Sequence, residues 1–387
     1  MAADVLSQAG ARVVLYEHKP SPARKFLMAG RGGLNITHSE PAERFLARYG
    51  AAATRLAPIL ADFPPQRLRD FCAALGEDTF VGSSGRVFPR SFKASPLLRA
   101  WLARLAAQGV EIRTRCAFEG FDADGALLLR GPEGAVACKA DAIILACGGA
   151  SWLRLGSDGT WRAPLAAQGV AIAPLAPSNC GALIDWSAHF LGACEGQPLK
   201  TIRVTHGEDS ARGDLVVTRR GLEGGPVYAL SANLGRAVSQ GGAATLHLDL
   251  RPDVSIETLT QKLARGAGKQ SLSTFLRKAL SLSKTDIALL REAAPGGFPR
   301  EPAALAALVK GAPLRVVGVA GLERAISTAG GVSFDELTDD LMLSKLPGVF
   351  AAGEMLDYDA PTGGYLLQAA FATGARAAQG ALRYMGR

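Results

Sequence analysis

The chain has 387 residues and a mass of 40.3 kDa, with 48% hydrophobic and 20% charged residues. This composition excludes a disordered chain, and the length predicts one large folded domain or two smaller ones. The formal net charge is +8, and residues 251–315 contain eleven Lys or Arg against five Asp or Glu. That surplus indicates either an anionic partner, such as a phosphorylated cofactor or an acidic substrate, or a solvated helical face.

The cysteine and histidine spacings argue against a metal site. The six cysteines form no C-x-x-C pair, and the five histidines form neither H-x-H nor H-E-x-x-H. The sequence has no signal peptide and no apolar stretch near the roughly 18 residues of a membrane helix. We therefore expect a cytoplasmic protein that contacts no membrane and binds no metal.

The first residues have the sequence pattern of the second half of a dinucleotide-binding βαβ unit. Residues 1–9 predict a helix ending before Gly10, and residues 12–17 predict a buried parallel strand that ends in Glu17. Such an acid holds ribose hydroxyls, and in the complete unit a strand and a glycine-rich turn precede the helix. Because both are missing, we expect that Met1 is internal to a longer natural chain or that the phosphate loop is lost. An ordinary helix–strand start with an incidental Glu17 is the alternative.

A glycine-rich turn follows within residues 25–37. It has three glycines in four positions, flanked by Lys, Arg and Asn, and such a turn can approach a ligand with its backbone; a plain loop is the alternative. The next patterns predict helices at 41–61, 65–75 and 95–108 (the last capped by Ser95 before Pro96), a strand at 110–115 and a small β-meander to residue 139.

Two later strands end in glycines. Residues 140–147 form a buried strand pattern before Gly148 and Gly149, and residues 346–352 form another before Gly353 and the acidic Glu354. Ligands of α/β sheets bind beyond the carboxyl ends of the strands, so these glycines are well placed for binding. Gly363 and Gly364 open a long alanine-rich helix, whose free N–H groups favour a negative ligand group.

The order of these elements predicts an α/β fold with four parts. A dinucleotide-binding domain consists of residues 1–160 and 314–387. It is interrupted by a β-rich subdomain, 161–252, and a helical subdomain, 253–313.

Together these segments resemble the two-dinucleotide-binding-domain flavoproteins, and in particular the bacterial aminoacetone oxidase family of NAD(P)/FAD-dependent oxidoreductases, which includes bile-acid 3-dehydro-Δ4,6-reductases. The segments that carry the resemblance are 15–17, 25–37, 85–89, 146–151, 156–159 and 348–374, with a weaker match at 213–226. The resemblance implies a Rossmann-like FAD-binding domain interrupted by an insert with a β-barrel-like part and an all-helical part. Leu34 stands where many relatives carry Cys, so no cysteine redox role is transferred to it.

The resemblance also implies which residues bind the cofactor. Glu17 would hold the adenosine ribose, residues 30–35 would line the pyrophosphate and flavin, and Gly363–Tyr365 would face the pyrimidine edge of the flavin. The complete set of expected FAD-binding residues is Glu17, Lys25, Gly30, Arg31, Gly32, Gly33, Leu34, Asn35, Gly148, Gly149, Gly353, Glu354, Asp357, Gly363, Gly364 and Tyr365. No residue pattern identifies a catalytic acid or base.

The expected function is an FAD-dependent oxidoreductase acting on a small organic substrate. The favoured reaction is NAD(P)H-linked reduction of an activated C=C bond, and oxidation of an amine or aminoketone by O2 is the alternative. A flavoprotein acting on tRNA has support only from the basic residues 251–315, and the 6% aromatic content argues against nucleic acid binding. A chain that keeps the fold without binding FAD is a further alternative. The sequence does not indicate the oligomeric state.

Overall fold

The computed structural model describes residues 1–30 and 32–387. The chain divides into two compact units. The first unit contains residues Met1–Ala176 and Ser327–Arg387, and the second contains Pro177–Ile326. The sequence patterns place the corresponding boundaries at residues 160/161 and 313/314. The structure extends the first unit to residue 176 because the Trp161 and Leu165 side chains are buried in its core.

The first part of the first unit alternates short strands and helices. Its elements are α1 (Ala2–Gln8), β1 (Val14–Glu17), α2 (Arg24–Ala29), β2 (Thr37–His38), α3 (Ala42–Ala47), α4 (Ala53–Asp62), α5 (Pro65–Ala74), β3 (Thr79–Val81), β4 (Arg86–Pro89), α6 (Ala94–Ala107), β5 (Glu111–Thr114), β6 (Ala117–Phe121), β7 (Leu127–Gly131), β8 (Gly134–Cys138), β9 (Ile143–Leu145), α7 (Arg162–Ala167) and β10 (Ile172–Ser178). Short 3₁₀ turns lie at Gly50–Ala52 and Leu153–Leu155.

The second unit and the return to the first follow in order. The second unit contains β11 (Ala182–Leu183), α8 (Ala188–Cys194), β12 (Pro198–His206), β13 (Asp209–Thr218), β14 (Gly221–Glu223), α9 (Gly225–Gly241), β15 (Ala244–Asp249), α10 (Ile256–Leu263), α11 (Leu272–Leu280), α12 (Lys284–Ala293), α13 (Pro302–Lys310), β16 (Ala312–Val316) and β17 (Gly318–Val319). The first unit then resumes with β18 (Ser327–Val332), β19 (Val349–Ala351) and α14 (Tyr365–Tyr384), with 3₁₀ turns at Phe334–Glu336 and Gly353–Met355.

Two parallel strand pairs form the Rossmann-like part of the first unit. β1 pairs with β5, and β9 pairs with β19, so that Ile143 lies opposite Val349. Since β9 and β19 run in the same direction, the glycines that follow them emerge at the same edge. The sequence predicts β1 as a buried strand, but all four of its residues are half-buried, because β5 is its only strand partner within the described residues.

The predicted start of the helix, with Ser95 as N-cap, is two residues too late. Helix α6 begins at Ala94, its N-cap residue is Lys93, and no side chain caps it. The reason is packing against the glycine-rich turn. An added Cβ on Gly30 would lie 2.6 Å from the Ala94 Cβ, and Ala94 is buried. This close contact fixes the helix start, and Ser95 lies inside the first turn.

The second unit has a curled sheet followed by helices. Seven strands pair in the order β16-β15-β12-β13-β14-β11-β17. The edge strands β16 and β17 are joined by Val317 alone, so the sheet must curl until its two edges meet at that corner, as in a barrel. Helices α10–α13 lie between β15 and β16 and share a leucine-rich core with the sheet. This arrangement agrees with the predicted β-barrel-like and all-helical parts.

Candidate cofactor-binding site

Lys25 is the centre of a polar cluster in the first unit. It lies on α2, and its Nζ is 2.5 Å from Glu354 Oε2, 2.7 Å from Glu354 Oε1 and 2.7 Å from Ser151 Oγ. The Lys25 and Glu354 side chains are 28% and 18% exposed. A half-buried ammonium with a carboxylate partner holds both charges in place, since each would be costly to leave unpaired at this depth.

Backbone N–H groups from two other segments complete this cluster. Glu354 accepts hydrogen bonds from Thr328 N at 3.1 Å and from Gly149 N at 3.3 Å. Thr328 Oγ1 in turn accepts one from Ala150 N at 2.8 Å. A Cβ on Gly149 would lie 2.4 Å from that oxygen, so only glycine fits there. The cluster thus ties the ends of β9 and β19 to α2 and β18.

Glu17 is placed as the βαβ pattern predicts, at the carboxyl end of β1. Its Oε1 accepts a hydrogen bond from Lys19 N at 2.8 Å and lies 3.5 Å from His18 Nδ1. The side chain is 23% exposed. One carboxylate oxygen is therefore fixed by the backbone, and the group can still accept hydrogen bonds from a ligand diol.

The glycines at the cluster differ in the space around them. A Cβ on Gly32 or Gly353 would meet no atom within 4 Å, and Gly353 has φ +78°. Gly33 faces the Phe92 ring, and Gly364, with φ +93°, would bring a Cβ to 2.5 Å from the Thr37 backbone. Gly32 and Gly353 therefore border open space. Gly364 instead brings the start of α14 into close contact with β2. Arg31 lies outside the described residues.

Two residues of the predicted set have structural partners instead. Leu34 is fully buried in the apolar core. The Asn35 amide donates to the carbonyl oxygens of Thr37 at 2.8 Å and Val87 at 3.1 Å. Both side chains therefore hold the glycine-rich turn against β2 and β4.

Tyr365, the first residue of α14, belongs to a hydrogen-bonded cluster. Its hydroxyl donates to Glu40 Oε1 at 2.6 Å, and Arg48 binds both oxygens of Glu40 at 3.0 and 2.9 Å. Arg48 holds the pKa of Glu40 below its usual range, whereas burial, with Glu40 beside it, raises the pKa of Tyr365. At neutral pH the proton therefore stays on the Tyr365 oxygen.

The aromatic face of Tyr365 is covered on one side by His38. The two rings stack with their centroids 5.4 Å apart and 18° between their planes. The Glu40 N–H donates to His38 Nδ1 at 3.1 Å, so the ring proton is on Nε2, which donates to the Ser84 carbonyl at 3.0 Å. The hydrogen bonds of His38 thus fix its ring against Tyr365.

Asp357 and Tyr358 follow the Glu354 turn. Burial raises the pKa of the Asp357 carboxyl. The Tyr358 hydroxyl is buried and, within residues 1–30 and 32–387, has no hydrogen-bond partner. An orphaned buried hydroxyl is costly, so this position calls for a polar ligand group. This hydroxyl and the open space at Gly32 and Gly353 are consistent with a bound polar cofactor.

The structure brings together some of the predicted residues and adds others. Lys25 and Gly149 both form hydrogen bonds to Glu354, whereas Glu17 and Tyr365 are in separate clusters. The partners that sequence reasoning missed are Ser151, Thr328, His38, Glu40, Arg48 and Tyr358. Only Ser151 had a sequence signal, because it ends the glycine-rich segment after β9.

The family profile described as "HI0933-like protein Rossmann domain" matches residues 1–380. The chain belongs to this family. Among curated proteins it is 26% identical to the "3-dehydro-bile acid delta(4,6)-reductase" of Clostridium scindens, with 95% of this chain and 92% of the relative aligned. It is also 26% identical to the "Ribosomal RNA dihydrouridine synthase" of Escherichia coli, with 96% and 92% aligned.

A solved structure shows the same fold. The 3-ketosteroid Δ1-dehydrogenase of Sterolibacterium denitrificans matches with a TM-score of 0.55 and 13% identity, covering 100% of this chain and 97% of that one. The predicted family and fold class are confirmed: the HI0933-like chain has the Rossmann-type fold of the FAD-dependent oxidoreductases. Within the described residues, no helix combines the length and apolar character needed to span a membrane.

Proposed function

We propose that this protein is an FAD-dependent reductase that saturates a C=C bond conjugated to a carbonyl group, with NAD(P)H as electron donor. The observation that carries the proposal is the Lys25–Glu354 cluster, where four chain segments meet at the carboxyl ends of β9 and β19. Beyond those strand ends lies the usual ligand position of an α/β sheet.

The two curated relatives support the choice of reaction. The name of one specifies reduction of Δ4 and Δ6 double bonds in a 3-dehydro bile acid, and the name of the other specifies formation of dihydrouridine. In both compounds the saturated bond is conjugated to a carbonyl group, although a bile acid and a ribosomal RNA are otherwise unlike. The common element is the bond that is reduced, and this is the part we transfer to the present chain.

The residues of the chain have separate tasks in this proposal. When bound, FAD supplies the hydride transfer. Glu17 would hold the ribose, and Gly32 and Gly353 would leave room for the cofactor backbone. The N-terminus of α14 at Gly364 would stabilise negative charge, because its free N–H groups and helix dipole point out of the first turn. Burial and the neighbouring Glu40 carboxylate keep the Tyr365 hydroxyl protonated.

The decisive experiment is anaerobic reduction of the FAD-loaded protein, monitored by the visible absorbance of the flavin. We expect rapid bleaching by NADPH or NADH, and rapid recovery on addition of an α,β-unsaturated ketone. Rapid bleaching by an amine, with recovery only in O2, would show that the protein is an amine oxidase and not a reductase. A protein that binds no FAD would overturn both.

A matched pair of variants tests the binding site itself. Gly32→Ala adds a methyl group to the open space in the first unit, and Gly241→Ala adds one to open space in the second unit. Neither clashes with protein atoms, so both should fold. We expect Gly32→Ala to weaken FAD binding at least about tenfold, roughly 1.4 kcal/mol, and Gly241→Ala to leave it unchanged. Equal FAD affinity in both variants would remove Gly32 from the site.

An RNA substrate is the second candidate, and the basic residues 251–315 together with the Escherichia coli relative favour it. Binding to ribosomal RNA that weakens steeply with salt would support it. Binding that is absent at low salt would exclude it.

A further inference from the structure

A cavity of about 290 Å³ lies within the second unit, among the ends of β11, β13 and β14. Its charged lining consists of Arg219, Arg220, Arg324, Glu195 and Glu223. At roughly 30 Å³ for each water molecule, the volume equals about ten waters, enough for a small ligand group. No cofactor role is assigned to any of these residues.

The three arginines have no internal partner. Within the part of the chain that the structure describes, no carboxylate oxygen lies within 4.0 Å of a guanidinium nitrogen of Arg219, Arg220 or Arg324, and none of these side chains forms a hydrogen bond. Glu223 lies beside the Tyr228 hydroxyl, whose pKa is raised by burial and by this carboxylate. The lining therefore carries three unpaired cations and a net positive charge.

The turn that carries two of these arginines is rigid. Arg219 and Arg220 form the two-residue connection between β13 and β14, a place where Asn-Gly or Gly-containing pairs are usual. The Ile184 N–H donates to the Arg220 carbonyl at 3.0 Å. Gly221 allows the close approach, because its Cβ would lie 1.8 Å from the Ala182 carbonyl oxygen. The backbone of the turn is thus fixed, and two adjacent arginines stand at the cavity in place of ordinary turn residues.

We propose that this cavity binds an oxyanion group, a carboxylate or a phosphate monoester, of a small ligand. Guanidinium groups present planar forks of N–H donors that match both anions. The Glu223 and Glu195 carboxylates offset two of the three arginine charges in the lining. The remaining positive charge is balanced by a ligand with a single anionic group. The site stands independently of the proposed reductase activity.

The test is isothermal titration calorimetry on the full FAD-loaded chain, with inorganic phosphate, succinate, NADP⁺ and NAD⁺ as probes. We expect at least one anion to bind, and the Arg219→Gln and Arg324→Gln variants each to weaken it about tenfold or more, as the loss of a charge-assisted hydrogen bond does. Arg219→Lys keeps the charge but not the fork and should give an intermediate affinity. The control is Arg315→Gln, an exposed arginine of β16 outside the cavity, which should change nothing.

The probes separate the two sources of the anion. Phosphate binding together with a preference for NADP⁺ over NAD⁺ would identify a phosphate monoester, and binding of succinate alone would identify a carboxylate. Either result supports the site. The proposal is overturned if no probe binds, or if Arg315→Gln weakens binding as much as Arg219→Gln does. Circular dichroism of each variant confirms that the loss is not unfolding.

Discussion

The contact between Lys25 and Glu354 should contribute measurably to the free energy of unfolding. Its contribution can be measured separately from the other contacts of the two side chains. Replacing Glu354 by Gln removes the charge but keeps an oxygen that can accept hydrogen bonds from Thr328 N and Gly149 N. Replacing Lys25 by Met removes the ammonium and keeps most of the side-chain volume. The two single variants and the double variant form a double-mutant cycle that reports the pairwise interaction alone.

The expected magnitude follows from the geometry and the exposure. A hydrogen bond to a charged group contributes about 1.5–3 kcal/mol, and exposure of 28% and 18% places this pair toward the lower end because solvent screens it. We expect each single variant to lose about 1.5–2 kcal/mol of unfolding free energy, and a coupling energy of about 1 kcal/mol. For a unit of this size, that loss lowers Tm by about 3–8 °C.

The assay is urea unfolding followed by circular dichroism at a fixed FAD concentration. The control is Asp335→Asn, which removes the partner of Arg55 in an exposed 2.8 Å ion pair of the same unit. It should cost less than about 1 kcal/mol, as surface pairs do. If the losses in Lys25→Met and Glu354→Gln simply add in the double variant, the two side chains do not interact and the reasoning fails.

Three further outcomes are expected. Tyr365→Phe should cost about 1 kcal/mol at pH 7. Because burial and the neighbouring Glu40 raise the pKa of Tyr365 in the folded state, its contribution is complete below about pH 10 and declines above it; a difference that stays constant between pH 7 and 11 would contradict this. Gly364→Ala should lower Tm by several degrees and solubility with it, because its Cβ would meet the Thr37 backbone; an unchanged Tm would refute it. Burial raises the pKa of the Cys147 thiol to about 12, so iodoacetamide at pH 8 should label it only after denaturation, as mass spectrometry can show.

The ends of the strands could be predicted from the sequence because the signal is local. A buried run such as residues 140–147 followed by two glycines contains both the strand and its turn. Gly148 takes φ +74° and Gly353 takes φ +78°, and residues other than glycine rarely adopt this conformation. The same local reasoning gave the start of the helix at Gly364.

The partners across the sites could not be predicted, because they depend on where the chain returns. Lys25 and Glu354 are separated by 329 residues, and Glu40 and Tyr365 by 325. No spacing rule connects positions so far apart. The start of α6 shows the same limit, since Ser95 has the chemistry of an N-cap, but tertiary packing of Gly30 sets the boundary instead.

The Lys25–Glu354 pair and the arginines of the cavity differ in how their charges are satisfied, and this difference has a consequence for ionic strength. In the first unit the charge of Lys25 is neutralised by Glu354, so the pair carries no net charge and exerts little electrostatic attraction on an anionic ligand. In the second unit Arg219, Arg220 and Arg324 have no partner among the described residues, so their field is available to a ligand. Because exposed charges are screened over about 8 Å at physiological salt, raising the salt concentration should weaken anion binding at the arginines much more than it lowers the stability given by the half-buried pair.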